Sequence, residues 1–538
     1  MPYVVTQSCC GDASCVVACP VNCIHPAPGE PGFLESEMVY VDAAACVDCG
    51  ACTTACPVDA IKPHTMLTDA ELPFIALAES YYQEFPHADR HPLAVVPRVE
   101  RYDGEPVRVA IVGAGPAAMY AADELLKHPG ISVDVIDKLP TPHGLVRAGV
   151  APDHQRTKAV AKLFDAIERE RGFGYLLGVE VGRDIRHDDL RTHYHAVVYA
   201  TGASRDRTLG IEGEDMAGST SATAVVGWYN GHPDHQDAYV DLGGDRIVIV
   251  GNGNVALDVA RVLTADPEAL ATTDIADLAL ATLRGSALRE VVILGRRGPE
   301  HAAFTMPELV GLANLTGVDV VVDTGGVPIP EDTPKSRLIA ELARREPTAG
   351  RRRIVLRFHA APVRILGDGV VDAIEIARTE TTADGVVMTN DRELLATTMV
   401  LRSVGYRGVP VRDLPFDEAT ATVPHDRGRV EPGVYVTGWI KRGPSGFIGT
   451  NKTCAQETVT GLVEDLMAGR LATPSGSRQE FVRLARTVRP ELIDIDGWRT
   501  LDRIERERGR AAGRPRAKFT EPAEMVAAVS AAPDAAGR

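Results

Sequence analysis

An α/β chain with two parallel-sheet units behind a small α+β domain is what the sequence predicts, from three observations. A strand, a glycine turn and a helix follow one another from Val107. The same succession returns from Ile247. Ahead of both, nine of the ten cysteines fall within the first 56 of 538 residues.

The cysteine-rich segment comes first. Its first group reads Cys9-x5-Cys15-x3-Cys19-Pro20, with Cys10 and Cys23 as additions. The second reads Cys46-x2-Cys49-x2-Cys52-x3-Cys56-Pro57. That run is the bacterial spacing for a cubane iron–sulfur cluster, and in two-cluster proteins its fourth cysteine serves the other cluster. Zinc prefers two ligand pairs across a spacer, and disulfide frameworks belong to short secreted chains. Neither explains an x2-x2-x3 run closed by proline and almost repeated. Where the repeat calls for another cysteine the chain has Asp12. The economical assignment is a three-iron cluster on Cys9, Cys15 and Cys56 and a four-iron cluster on Cys19, Cys46, Cys49 and Cys52. An eight-iron form, with Asp12 or Cys10 as the odd ligand, stays open.

Glu84 to Pro106 is rich in proline, histidine and charge and reads as a linker. Val107–Val112 then gives a short apolar strand, Gly113-Ala114-Gly115-x-x-Ala118 a turn, and 117–127 a helix. Val133–Ile136 is the second strand, ending at Asp137. Glycines in such a turn let the backbone approach a pyrophosphate at a helix N-terminus, and an acid at Asp137's place binds ribose hydroxyls. "VVYATGAS", from Val197 to Ser204, is a further strand running into a tight small-residue turn. Ile247–Val250, Gly251-Asn252-Gly253-Asn254-x-Ala256 and a helix over 254–263 make the second unit. Arg296 and Arg297 follow its next strand, where an arginine accommodates a ribose 2′-phosphate. Two such units in one chain suggest one flavin, FAD on the first, and one nicotinamide nucleotide, NADP rather than NAD on the second. The Arg- and Glu-rich segment after about Ser475 reads as surface helix, with a disordered end at "SAAPDAAGR".

Composition excludes several classes. The net charge is −17, with no basic footprint for nucleic acid. No run of about 18 uncharged apolar residues predicts a membrane span. Free thiols and the lack of an export-type N-terminus predict a cytoplasmic protein. Residues 1–100 hold 13 Asp and Glu against 3 Lys and Arg. An acidic electron carrier can dock on the basic face of a partner.

Through "YVVTQSCC", "CPVNCIH" and "ALAESYYQEFP", roughly the first 90 residues resemble the seven-iron bacterial ferredoxins. The resemblance implies that Cys23 is not a ligand. Residues 107 to 465 resemble the adrenodoxin-reductase type of ferredoxin–NADP reductase. The marks are "LPTPHGLVRAGVAPDHQRTK", "GNGNVALDVAR", "GRRGPEHAAFTMPEL", "LRSVGYRG" and "GWIKRGPSGFIGTNK". This implies FAD on Gly113, Ala114, Gly115, Ala118, Asp137, Leu145 and Val181, with Trp439, Gly446, Phe447 and Ile448 at the isoalloxazine ring. It implies NADP on Gly251, Asn252, Gly253, Asn254, Arg296, Arg297 and Glu308, with Gly446 also near the nicotinamide. His154 corresponds to a histidine near the flavin and is the one catalytic candidate, at most assisting protonation. The family's usual second acid after Glu308 is missing, and Gly311 stands near its place.

Two Rossmann-like domains of the adrenodoxin-reductase type are therefore expected behind a bacterial ferredoxin domain. The expected division is 1–90 for the two-cluster domain, 91–106 for the linker, 107–205 with 400–538 for FAD, and 206–399 for NADP. Nicotinamide gives electrons in pairs and clusters take them singly, so a flavin belongs between them. The expected function is a ferredoxin–NADP(+) reductase with its own fused ferredoxin, reversible, delivering electrons to a haem monooxygenase or another electron-transfer protein. The alternative is an NADPH-input subunit of a larger reductive enzyme. A flavin disulfide reductase is disfavoured because no cysteine lies between Cys56 and Cys454.

Overall fold

The computed structural model describes residues 2–87, 101–383 and 385–531. The expected linker falls largely on 88–100, outside the described residues; of the end expected to be disordered, 530–538, residues 532–538 lie outside them too, while Ser530 and Ala531 close a helix.

The cysteine-rich segment is a near-repeat of two halves. Strand Tyr3–Val5 pairs antiparallel with Ile61–Pro63, and Ile24–His25 pairs with Tyr40–Val41. Each half carries a five-residue helix, Ser14–Ala18 holding Cys15 and Ala51–Ala55 holding Cys52. Both helices begin from a left-handed residue: Gly50 at φ 74°, and Ala13 at φ 54°, where a Cβ makes that conformation costlier. Helix Pro73–Glu84 closes the segment, and the hydroxyl of its Tyr82 donates to the Tyr40 carbonyl at 2.8 Å.

Behind it stand two sheets. A seven-stranded sheet runs in the order Arg429–Glu431, Val434–Val436, Ala196–Tyr199, Val107–Val112, Ile131–Asp137, Phe173–Leu177 and Ile493–Asp494. Its five central strands are parallel and its edges antiparallel. Helices cover both faces of such a sheet, which is why its strands read as unbroken apolar runs. The second sheet has six parallel strands in the order Ser219–Ser221, Met399–Arg402, Arg246–Val250, Glu290–Leu294, Arg352–Arg357 and Val318–Asp323. A three-stranded antiparallel sheet, Ala360–Gly367, Val371–Thr382 and Gly385–Ala396, packs beside it.

The tail departs from its reading as surface helix. Helices Arg478–Val488, Ile495–Ala511 and Pro522–Ala531 bury Phe481, Trp498 and Leu501. Arg478 pairs with Asp134 of the first unit at 2.6 Å, while Lys518 reaches Asp274 of the second at 2.9 Å. The tail straps the two nucleotide units together.

Candidate functional site

Cys19, Cys46, Cys49 and Cys52 line one pocket, with Tyr3, Ile24 and Val41 among its apolar walls. Cys23 lines it too, and its Sγ lies 3.4 Å from that of Cys19. Cys9, Cys15 and Cys56 form a second group, close enough that each thiolate would repel the others. Burial pushes the bare thiols of Cys9 and Cys52 up to about 11. Only a bound cation would hold such groups as thiolates at neutral pH, and iron–sulfur clusters are held by thiolates. The donor set therefore fits clusters.

Asp12, in the place of the missing cysteine, is already engaged. The Ser14 hydroxyl and N–H both donate to its carboxylate, and Lys452 lies 3.7 Å away. Lys452 in turn donates to Ser14 Oγ at 2.7 Å.

The first glycine turn has the shape of a nucleotide cradle. Gly113 adopts φ +102°, and a Cβ there would meet the Ala200 carbonyl oxygen at 2.5 Å. A Cβ on Gly115 would meet nothing within 4 Å, so that side is open. Gly115 begins helix Pro116–Leu126, which buries Ala118, and no side chain caps its N-terminus. Uncapped N–H groups facing open space favour an anion. Ala114 donates its N–H to Asp137 Oδ2 at 2.6 Å, and Leu139 to Oδ1 at 2.8 Å. Burial raises the Asp137 carboxyl above its ordinary range, against the pull of both donors. Leu145 stands on the short helix Leu145–Ala148 and remains 48% exposed although apolar. Val181 packs at the edge of the first unit's core and pairs with Ile185. Trp439 stacks on Tyr406 and donates to the Ser445 carbonyl at 3.1 Å, at the mouth of loop 443–449.

The second turn repeats the geometry. Gly251 at φ +106° leaves no room for a Cβ beside the Ser403 carbonyl, while Gly253 opens on empty space at the uncapped start of helix Asn254–Thr264. Asn254 Oδ1 accepts from Thr305 N–H at 2.8 Å, and Asn252 Oδ1 from Ala303 N–H at 3.5 Å. Arg296 and Arg297 are exposed just beyond strand Glu290–Leu294. Neither guanidinium has a side-chain hydrogen bond or ion pair among the described residues, in a chain whose arginines are mostly paired. Both cradles fit dinucleotides.

His154 and Glu308 meet, 4.0 Å apart. Arg261 Nη1 lies 3.5 Å from Glu308 and its guanidinium also binds Asp153 and Asp258. Burial works against ionisation of Asp153, but Arg261 at 2.6 Å prevails and holds its carboxyl low. Glu308 goes the other way: burial and then Asp258 raise it, against His154, Arg261 and Gln7. The charge cluster around His154 was invisible to spacing alone, although Asp258 and Arg261 lie in the motif "GNGNVALDVAR".

What the sequence missed entirely is the seam between the two halves. Gly449 donates its N–H to the Cys10 carbonyl at 2.7 Å. A Cβ on Gly449 would come within 2.1 Å of the Asp12 nitrogen, and one on Gly11 within 3.7 Å of Phe447 Cβ. The cysteine loop 9–12 thus rests on the loop Gly446, Phe447, Ile448. Gly446 adopts φ +79°, and Phe447 N–H donates to Thr450 Oγ1 at 2.9 Å.

Comparison with known proteins places this arrangement. Residues 107–293 match the pyridine nucleotide-disulphide oxidoreductase family and residues 39–62 the 4Fe-4S binding domain. The chain is 51% identical to a probable ferredoxin/ferredoxin–NADP reductase of Mycobacterium tuberculosis over 99% of this chain and 96% of that one. It is 43% identical to the NADPH-ferredoxin reductase FprA of that organism, over 78% of this chain and 98% of the relative. A solved structure of Mycobacterium tuberculosis FprA in complex with NADPH matches with a TM-score of 0.76, covering 79% of this chain and all of that one. NADPH:adrenodoxin oxidoreductase of Arabidopsis thaliana is 38% identical, over 80% of this chain and 98% of its own.

Proposed function

The chain belongs to the family of fused ferredoxin/ferredoxin–NADP reductases, and from that premise we propose how its residues divide the work. It is a flavin-dependent oxidoreductase that exchanges electrons between NADPH and its own iron–sulfur domain. The reading as an input subunit of a larger enzyme is not favoured, since the reductase relative is matched along nearly the whole chain. The chemistry flavin supplies when bound is the exchange between hydride and single electrons.

Gly113, Ala114, Gly115, Ala118 and Asp137 would hold the FAD pyrophosphate and ribose. Leu145 and Val181 would line the bound FAD, and Trp439 and 446–448 would enclose its ring. Gly251 to Asn254 would hold the NADP pyrophosphate, Arg296 and Arg297 its 2′-phosphate, and Glu308 the nicotinamide end beside Gly446. His154 would at most hold a proton there. The domain division is proposed as 1–90, 107–205 with 400–538, and 206–399, with the last boundary moved beyond Arg402 because strand Met399–Arg402 lies inside the second sheet.

The observation that carries the electron route is the hydrogen bond from Gly449 to Cys10. It supports the cluster on Cys9, Cys15 and Cys56 as the one beside the flavin. The engagement of Asp12 by Ser14 and Lys452 supports three irons there, because its carboxylate is committed. The other cluster would then face outward, where Cys49 is exposed and Val47 and Val17 are 59% and 54% exposed. No Lys or Arg precedes Lys62, which is tied to Glu71 at 2.7 Å. An acceptor with a basic face, a haem protein or another electron carrier, suits that surface. Reduction of a basic haem protein is expected to slow as salt rises, whereas reduction of a small neutral quinone stays level; equal salt responses would remove the docking surface. The free thiols support a cytoplasmic setting, and among the described residues no helix is long and apolar enough to cross a membrane.

Anaerobic stopped-flow mixing with NADPH and NADH tests the nucleotide assignment. Arg296→Ala with Arg297→Ala is expected to lower kcat/KM for NADPH at least ten-fold, as loss of charge-assisted bonds costs about 1.5–3 kcal/mol each. NADH should be unaffected. An equal loss for both nucleotides would show that these arginines do not read the 2′-phosphate.

A further inference from the structure

Helix Met306–Ala313 carries Glu308, and the cluster domain grips it at several points. Glu37 accepts the Met306 N–H at 2.6 Å, and its carboxylate also lies 3.7 Å from Lys335. An acid at a helix N-terminus satisfies an orphan donor and complements the dipole. Gln7 Nε2 donates to Glu308 Oε2 at 3.3 Å. One turn on, a Cβ at Gly311 would lie 2.3 Å from that same Gln7 nitrogen. At the helix end, Asn314 Nδ2 reaches the Ala70 carbonyl at 3.5 Å.

These contacts give the absent acid a physical reason. A side chain at 311 would occupy the space through which Gln7 reaches Glu308. Glycine there opens a slot for the cluster domain.

We propose that Gln7 and Glu37 are positioning residues of the NADP site: the cluster domain completes the wall of that site by fixing the helix and carboxylate of Glu308. The inference rests on the reading of Glu308 as a nicotinamide-end residue and adds to it. His154 and Arg261 hold Glu308 from the reductase side, and Gln7 holds it from the cluster side. Electron entry and electron exit thus share a structural wall.

The test uses the full-length holoprotein and five variants: Gln7→Ala, Gly311→Ala, Gln7→Ala with Gly311→Ala, Glu37→Gln, and Glu308→Gln as reference. The first readout is the equilibrium Kd of NADP+, followed by flavin difference absorbance. The second is the split between KM and kcat for NADPH in flavin reduction. Gln7→Ala and Gly311→Ala are each expected to weaken NADP+ about five-fold, the worth of one hydrogen bond of about 1 kcal/mol. Because both act on one contact, the double variant should lose no more than either alone. Glu37→Gln keeps the acceptor and removes the charge, so a smaller loss in the same direction is expected. Iron content and melting temperature serve to exclude a folding defect. If Glu308→Gln weakens NADP+ while the Gln7 and Gly311 variants bind as wild type, the inference is overturned and the site reading stands. If the two losses simply add, Gln7 and Gly311 do not act together and the inference is likewise overturned. If Glu308→Gln changes nothing, the reading of Glu308 itself fails.

Discussion

Valine at position 449 is expected to disconnect the two halves of this enzyme while leaving each cofactor in place. Gly449 sits against backbone only: an added Cβ falls 2.1 Å from Asp12 N, 2.3 Å from its Cα and 2.3 Å from Gly11 C. No flexible side chain is there to yield. Gly449 precedes helix Thr450–Met467, whose 18 residues bury Ala455, Thr458, Leu462 and Asp465 in the reductase. The cysteine loop is the shorter and less anchored party, so it is the part that moves. An electron crosses more slowly as the two cofactors are moved apart, so a displaced cysteine loop slows the transfer without touching the flavin's own reduction.

With NADPH under anaerobic conditions, the Gly449→Val protein should bleach its flavin near the wild-type rate and reduce its clusters at least several-fold more slowly. Iron and FAD contents should match wild type. Gly449→Ala should fall between the two. Clusters reduced at the wild-type rate in both variants would mean that electrons do not cross at this seam.

Both glycine turns and the four-cysteine run were legible in the sequence because each is local. The turn, the strand before it and the helix after it lie within one short window, although the carbonyls that exclude a Cβ at Gly113 and Gly251 belong to Ala200 and Ser403, far along the chain. The seam was not legible, since Gly449 and Cys10 stand at opposite ends of the chain and their meeting depends on two folded surfaces. Gly311 shows the same limit: spacing marked it as a departure, but only the approach of Gln7 gives the reason. The tail misled through composition. Its arginines and glutamates look solvated, yet Arg478, Arg514 and Lys518 have their carboxylates on other parts of the chain, at Asp134, Asp277 and Asp274. Charge counts cannot tell a solvated pair from a distant buried one.

Glu505 makes that last point measurable, and its replacement by glutamine is the second large effect expected. The side chain is fully buried and takes both arms of Arg147, at 2.6 and 2.8 Å, together with Arg516 at 2.7 Å and the Phe519 N–H at 2.9 Å. Glutamine keeps the shape but leaves the buried Arg147 guanidinium without a counter-charge and Arg516 with Asp502 alone, a loss of about 3–5 kcal/mol. Arg147 belongs to the same short helix as Leu145, so loosening it should also weaken FAD retention. The pH dependence follows from the carboxyl. Burial alone would raise it, but Arg147 and Arg516 prevail and hold it at about 2, below its ordinary 4.5. A folded value below the unfolded one gives stability that is whole above about pH 4.5 and is lost as pH falls toward about 2, roughly 3 kcal/mol in all. Glu505→Gln has no such contribution to lose. Thermal midpoints followed by circular dichroism should therefore lie well apart at pH 7 and draw together as pH falls below about 4.5. A gap that stays constant across that range would show that the Glu505 charge does not hold the strap.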